Sequence, residues 1–442
     1  MRRNIALFGG TTNLADCLVA IRYLCGWRKL LQGPIIEEYE KAFARTIGVA
    51  HALSFCSGRV GLYGMLNAME VCPGDEVLLQ VPTHIVVVNA IRYVGAHPVF
   101  VDCDLKTCNM DLKQAEQKIT PRTKVLLVQH TFGIPVDMDE ALSLANRHGL
   151  TLIEDCVHAL GARYDGKLIG SFGTAAFFST EETKTISTTM GGMVVTDDAA
   201  LATKLRQFQE GCPWPSKWLT VRRVLKLLIY HALTQPALHR YMRPLYEMCG
   251  RWNPLPKPTT DAGKLGLRPA VYEQRLSNIQ AVLGLRQLHR LESNLAHRRV
   301  MAKLYCEQLS LLGYRLLEPP AKAEPSYVRF PLWVEDREAV VRDTASCVVM
   351  GLWFTSVLQE AISPEYGDYP MGSCPQAEAM AEHLVNLPTH PRVQERDVSM
   401  IVSAVERSLQ SQQGAVTIRN DSGYGTGKTD SDTREVPEIF DS

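Results

Sequence analysis

The chain has 442 residues and 47 Lys+Arg against 47 Asp+Glu, so its formal net charge is zero. That balance argues against a nucleic-acid binder, which needs a basic excess to neutralise phosphates. No apolar run reaches the roughly 18 residues that cross a bilayer, and Asp16 and Arg22 interrupt the N-terminal stretch where an export signal needs a continuous apolar core. The 12 cysteines include no Cys-x-x-Cys pair and no metal-ligand spacing, and read as reduced thiols of a cytoplasmic protein. The length accommodates two or three domains, and the reading is a soluble multi-domain enzyme.

In chain order, residues 1–32 read as an N-terminal arm and 33–211 as a large domain. Within it, short apolar runs alternate with amphipathic stretches. Strands are predicted at 52–56, 76–80, 98–102, 125–129, 150–154, 175–179 and 192–196, several of them almost continuously apolar, as in a parallel sheet covered on both faces. Helices are predicted between them, for example at 61–69, 138–148 and 199–209. The alternation implies an α/β fold, in which ligands sit at the carboxyl ends of strands.

Beyond Gly211 the character changes. Residues 212–262 carry a dense apolar stretch at 218–233, punctuated by Arg222, Arg223 and Lys226 and followed by Arg240, Arg243 and Arg251. Residues 263–410 hold a long or broken helix at 273–312 and a strand at 327–334 of a second, smaller α/β unit. The tail, 411–442, is rich in Gly, Ser, Thr and Asp and is predicted to be disordered, since it cannot bury enough surface to offset its ordering entropy.

Three predicted strand ends carry candidate chemistry. The first runs into Ser57-Gly58-Arg59-Val60-Gly61, a small turn opening a helix whose free N–H groups suit a phosphate, although ordinary Ser-Gly turns are as common. The second ends in Glu154 and Asp155, followed by Cys156-Val157-His158. Taken alone, such a carboxylate caps a turn and such a histidine is structural. The third ends at Ser179, with Lys184 five residues on, and a lone loop lysine is ordinarily a solvated charge.

Together, these motifs resemble the DegT/DnrJ/StrS family of pyridoxal-phosphate aminotransferases, similar in fold to aspartate aminotransferase. The run comprises Ser-Gly at 57–58, Pro-Gly-Asp-Glu-Val at 73–77, Gly-Ala-x-Pro-Val-Phe-Val-Asp at 95–102 and Thr-Pro-Arg-Thr-Lys at 120–124. It continues with Ile-Glu-Asp at 153–155, His-Ala-Leu-Gly-Ala at 158–162, Gly-Ser-Phe-Gly at 170–173, Phe-Ser-x4-Lys at 178–184 and Gly-Gly-Met-Val-Val-Thr at 191–196. Arg-Leu-Ser-Asn-Ile-Gln-Ala at 275–281 and Asn-Leu-Pro-Thr-His-Pro at 386–391 look like small-domain landmarks. The resemblance covers about residues 33 to 408.

It implies a fold-type-I α/β architecture, a mainly parallel seven-stranded sheet covered by helices plus a smaller C-terminal α/β domain. It implies pyridoxal 5'-phosphate as cofactor and no metal. Lys184 matches the lysine that forms a Schiff base with the cofactor and then moves the substrate proton. Asp155 matches the partner of the pyridine nitrogen, favouring the protonated, electron-accepting ring. His158 falls at the phenolic oxygen, and Ser179 with the amides of Gly58 and Arg59 at the phosphate.

There are departures. Arg59 stands where the family has Thr, and either strengthens the phosphate grip or points outward. The family's ring-stacking aromatic after Pro82 is missing, with His84 the candidate in its place. Met190 replaces a common acidic residue in a loop that in relatives reaches the partner's site, making Thr188 or Thr189 a candidate for the neighbour's phosphate pocket. Glu273 replaces an expected Asn.

The implied activity is transfer of an amino group from an amino acid, glutamate first, to a keto group of a nucleotide-linked keto-deoxysugar, in polysaccharide or secondary-metabolite biosynthesis, by a homodimer. A sugar dehydratase is opposed by Lys184, because such relatives carry histidine there. A non-catalytic regulatory or scaffold subunit is opposed by the intact Lys184, Asp155 and Ser179, and favoured by the altered loops 82–89 and 185–190. The apolar, basic insertion at 212–262 either docks on an anionic membrane over 218–251 or packs on the subunit or its dimer mate. The packed reading is preferred, because Pro236 and Pro244 break the stretch and its apolar residues do not keep to one face.

Overall fold

A computed structural model describes residues 3–8, 10–26, 29–241 and 259–421, with side chains to 410. Seven strands form the central sheet: β1 (His51–Phe55), β2 (Glu76–Gln80), β3 (His97–Val101), β4 (Thr123–Gln129), β5 (Thr151–Asp155), β6 (Ala175–Ser179) and β7 (Gly192–Thr196). Each lies within a residue or two of its predicted ends. The spatial order is β1-β7-β6-β5-β4-β2-β3. The strands from β6 to β3 run parallel, and β7 runs antiparallel to both its neighbours, β1 and β6.

The principal helices are α1 (Leu14–Cys25), α2 (Ile35–Ile47), α3 (Gly58–Ala68), α4 (Ile85–Tyr93), α5 (Met138–His148), α6 (Ala199–Gly211), α7 (Lys217–Leu233), α8 (Asn278–Leu288), α9 (Leu291–Leu311), α10 (Arg337–Thr344), α11 (Pro375–His383) and α12 (Glu395–Asp421). Strand side chains alternate between faces, so the apolar runs feed two cores. Phe55, Val77, Leu79, Leu127 and Phe177 meet α3, α4 and α6 through Leu62, Ile91 and Leu205. Leu78, Leu126, Leu152 and Phe178 meet α2, α5 and α8 through Phe43, Leu144 and Ala281.

The same alternation separates the two carboxylates at the end of β5. Glu154 turns away from Asp155 and accepts N–H bonds from Gly170, Phe172 and Gly173 at 2.8, 2.8 and 2.7 Å, with His130 Nε2 at 3.3 Å. The Gly-Ser-Phe-Gly motif is therefore a turn wrapped round a buried carboxylate.

The smaller unit pairs β8 (Phe330–Trp333) antiparallel with β9 (Leu384–Leu387), packed under α9, α10 and α12 by Tyr305, Val340 and Ile401. The predicted 273–312 helix is broken at His289–Arg290 into α8 and α9. The N-terminal arm docks on this unit: the Ile5 N–H donates to the Cys347 carbonyl at 2.9 Å, and the Ile5 carbonyl accepts from Val349 at 2.8 Å.

Of the insertion, α7 is one continuous helix, capped by Ser216 and ending at Leu233. Residues 242–258, which contain Arg243, Pro244, Arg251 and the Pro254–Pro258 cluster, lie outside the described residues. The last helix, α12, runs to Asp421 and so enters the stretch expected to be disordered from 411. Its first half is anchored in the core by Val398, Ile401 and Val405, and extending an existing helix avoids the cost of nucleation. Residues 422–442 lie outside the described residues.

Candidate active site

A cavity of about 760 Å³ opens at the carboxyl ends of β4, β5 and β6, where Gln129, Asp155 and Ser179 line it. Its other walls are the start of α3 and a segment of the smaller unit, 349–360.

Asp155 is buried at the last position of β5. Its Oδ1 accepts the Val157 N–H at 3.0 Å, while Oδ2 has no hydrogen-bond partner among the described residues. Burial pushes the carboxyl up to about 7, against the Val157 N–H and the Lys184 charge, which lower it.

Lys184 sits in the turn after β6, its backbone N–H donating to Glu181 at 3.1 Å. Its amine lies 4.1 Å from the centre of the Trp353 ring. Burial brings it down to about 8; Glu181 opposes this, Arg329 adds to it, and Asp155 and Glu360 oppose it again.

The His158 ring stacks on Trp353 at 4.2 Å and 12° and lies nearly parallel to Phe132 at 6.3 Å and 13°. Its Nδ1 is buried without a partner among the described residues. Burial, then the charges of Lys184, Arg329 and His84, hold its pKa well below the ordinary value, so the imidazole is neutral.

At the opposite end, α3 starts at Gly58 behind Ser57. The N–H groups of its first turn, which no helix can bond within itself, face outward at this end. Ser179 Oγ accepts the Glu181 N–H at 3.3 Å and lines the same end. Close approach makes this possible: a Cβ on Gly192 would lie 2.3 Å from the Gly58 nitrogen, so the Gly-Gly motif lets β7 pass against the turn.

His84 lines the cavity beside α4, its Nδ1 accepting the Val86 N–H at 3.3 Å and its Nε2 3.4 Å from the Glu360 carboxylate. Burial raises Glu360, but the adjacent His84 holds it down at about 2. Thr188 does not join the group. It is fully buried, and its hydroxyl bonds Thr180 Oγ1 at 2.7 Å and the Met190 carbonyl at 2.9 Å. Within its own chain, its hydroxyl braces the loop that carries it.

The structure therefore gathers Lys184, Asp155, His158, Ser179, Gly58, Arg59 and His84 round one cavity. It adds Trp353, Arg329 and Glu360, which the motifs miss. Arg329 is stacked with its guanidinium carbon 3.4 Å from the Trp353 ring centre. Asn386 fixes Trp353 by accepting its N–H at 2.9 Å and donating to its carbonyl at 3.2 Å. The Asn-Leu-Pro-Thr-His-Pro landmark was the one sequence signal pointing toward this wall.

These residues fit pyridoxal phosphate. Asp155 and His158, which line the cavity, keep buried polar atoms unmatched, and buried polar atoms are normally paired. A carboxylate oxygen suits a cationic ring N–H, a neutral imidazole suits a ring oxygen, and a helix N-terminus suits a phosphate.

Strand-end cavity, lysine and orphaned carboxylate are the features a pyridoxal-phosphate enzyme needs. The chain belongs to the DegT/DnrJ/EryC1/StrS aminotransferase family, whose model matches residues 18–406. It is 33% identical to a GDP-perosamine synthase of Caulobacter vibrioides over 385 residues, 85% of this chain and 91% of that one. It is 31% identical to a UDP-N-acetyl-3-dehydro-alpha-D-glucosamine 3-aminotransferase of Acidithiobacillus ferrooxidans, over 84% of this chain and 87% of that one. Among solved structures it is similar to DesV of S. venezuelae, with 27% identity, a TM-score of 0.70 and coverage of 92% and 98%. These matches bear out the family resemblance, the fold and the cofactor.

Proposed function

We propose that this aminotransferase carries an amino group from an amino acid, glutamate first, to the keto group of a nucleotide-linked keto-deoxysugar for polysaccharide biosynthesis. The observation that carries the site assignment is the orphaned pair, Asp155 Oδ2 and His158 Nδ1, in one cavity with an amine brought down to about 8. The printed activities of the Caulobacter and Acidithiobacillus relatives support the acceptor class.

Bound pyridoxal phosphate supplies an electron sink for the carbanion left when the substrate C–H bond breaks. Lys184 is the candidate catalytic residue: with its amine at about 8, an appreciable uncharged fraction exists near neutral pH, so Nζ can serve as nucleophile and as proton carrier. Asp155 would hold the protonated ring nitrogen, and a cation against it would bring its own carboxyl back down. His158, locked by its aromatic stack, would hold the ring oxygen. Ser179 Oγ and the Gly58 and Arg59 amides would take the phosphate, with His84 on the same cavity wall.

The protein acts in this reading as a cytoplasmic homodimer. Reduced chemistry is supported by cysteines that form no disulfide among the described residues. A second subunit is supported by the exposed Leu267 and Val271, tied beside α4 by the Tyr93 hydroxyl donating to the Leu267 carbonyl at 2.7 Å.

The test is visible absorbance of the cofactor-loaded protein during addition of L-glutamate, with 2-oxoglutarate assayed in parallel. Bleaching of the bound-cofactor band with stoichiometric 2-oxoglutarate, absent in Lys184→Ala, is expected. A chain that takes up no cofactor would be the non-catalytic subunit instead.

A further inference from the structure

We infer that the paired helices α1 and α7 form a docking face for an anionic lipid surface, holding the enzyme on a membrane with its cavity alongside. The helices meet through Cys17 and Ala20 on one and Val221, Val224 and Leu227 on the other. His231 Nδ1, 3.1 Å from the Thr12 carbonyl, ties the end of α7 to the start of α1. Packing on the subunit thus accounts for one apolar face of α7. A second remains exposed, with Trp218 at 66% and Leu225 and Ile229 at 40% each. At about 100° per residue these three fall within about 40° of one another. On α1, Leu14, Leu18 and Ile21 form an equivalent exposed stripe. Leu238 and Tyr241 extend the exposed apolar run beyond α7.

Charge selects the occupant. No Asp or Glu occurs from 211 to 246, against six Lys+Arg. Lys226 is buried against Glu182 at 2.5 Å and Arg223 is buried, and Arg243 lies outside the described residues, which leaves Lys217, Arg222 and Arg240, with Arg22 of α1, at solvent-accessible positions. A two-fold contact between copies would set this face against itself, basic residues opposed. An acidic headgroup layer complements it, and Trp and Tyr among aliphatic side chains suit the interface. Among the described residues no helix is long and apolar enough to cross a membrane, so the face lies on the surface. The cavity is near: Leu7 and Phe8 line it, and the Phe8 ring is 5.3 Å from Tyr230 of α7.

The experiment is co-sedimentation of the full chain with vesicles of phosphatidylcholine alone or with about a third phosphatidylglycerol. Retention on the anionic vesicles only, weakened by salt, is expected. Leu225→Glu with Ile229→Glu, and separately Lys217→Glu with Arg222→Glu, should each lower partitioning about tenfold or more while circular dichroism is unchanged. Absence of retention on anionic vesicles overturns the proposal, as does full retention by both variants. So does a lipid-free dimer that Leu225→Glu with Ile229→Glu converts to monomer, which would assign the face to a second copy.

Discussion

Lys184 Nζ stands 4.1 Å from the centre of the Trp353 ring, bringing a side chain of the smaller unit onto the reactive amine of the large domain. Two opposing effects act there. A cation over an indole is stabilised by about 0.5–2 kcal/mol, whereas burial, the largest influence on Lys184, favours the neutral amine. Trp353→Ala removes the first and relieves the second by admitting water. Because burial dominates, the midpoint for amine reactivity should move up from about 8, read from the pH dependence of the cofactor-attachment rate. A downward move would show that the ring stabilises the cation more than it dries the site.

Lys184→Ala should lower the glutamate half-reaction on the order of 10³-fold or more, since it removes both nucleophile and proton carrier. The melting temperature should stay level or rise, because a buried amine is costly. Stopped-flow absorbance and calorimetry on one preparation check both.

Asp155 links cofactor loading to pH. Its folded pKa, about 7, is raised from the model-compound value of 3.8, so the folded cofactor-free chain binds more protons than the unfolded one between those values. Stability from this group is full below about 3.8 and is lost as pH rises through 7. The cofactor-free protein should therefore lose stability between pH 5 and about 7 on this residue's account, and Asp155→Asn should flatten that slope. A cationic ring nitrogen opposite the carboxylate should also flatten it. Denaturant titrations across that range, with and without cofactor, measure the effect.

Gly192→Ala tests the phosphate end. A Cβ there would lie 2.3 Å from the Gly58 nitrogen and 2.5 Å from the Ser57 carbonyl oxygen, and backbone atoms cannot swing aside. A cost of about 1–3 kcal/mol and weaker cofactor binding should appear together, whereas Gly166→Ala, where no atom lies within 4 Å of the added Cβ, changes only a positive-φ turn. Cofactor titration of both variants separates displacement of the turn from general destabilisation.

Asp16 anchors α1. It is fully buried, caps its own helix with Asn13, and meets Arg286 at 3.0 Å and Arg290 at 2.6 Å. Asp16→Ala strands two partly buried guanidinium groups and should cost about 3 kcal/mol, the lower end for a broken buried pair because both arginines keep some solvent. Urea unfolding gives the value, and activity at low temperature should be spared.

The residues that amino-acid order alone identified are those whose neighbours along the chain define them. Short, largely apolar runs alternating with amphipathic stretches placed all seven strands, because a sheet covered on both faces demands mostly apolar strands. Asp155, Ser179 and the Gly58 turn follow directly from strands, and Lys184 sits one turn beyond, so a parallel sheet necessarily brings them to one edge. His84 and Arg59 were visible as departures at positions the same sheet positions. What tertiary structure alone decided came from docking between distant segments. Trp353, Arg329 and Glu360 enter from a second unit whose approach leaves no periodic trace, and Thr188 is claimed by Thr180 across its own loop. That the apolar residues of α7 do not keep to one face was legible, but burial of some against Cys17 and Ala20 and exposure of others depended on where α1 lies. Local order records which side chains a strand or helix presents, whereas the free energy that selects their partners is released only when remote surfaces meet.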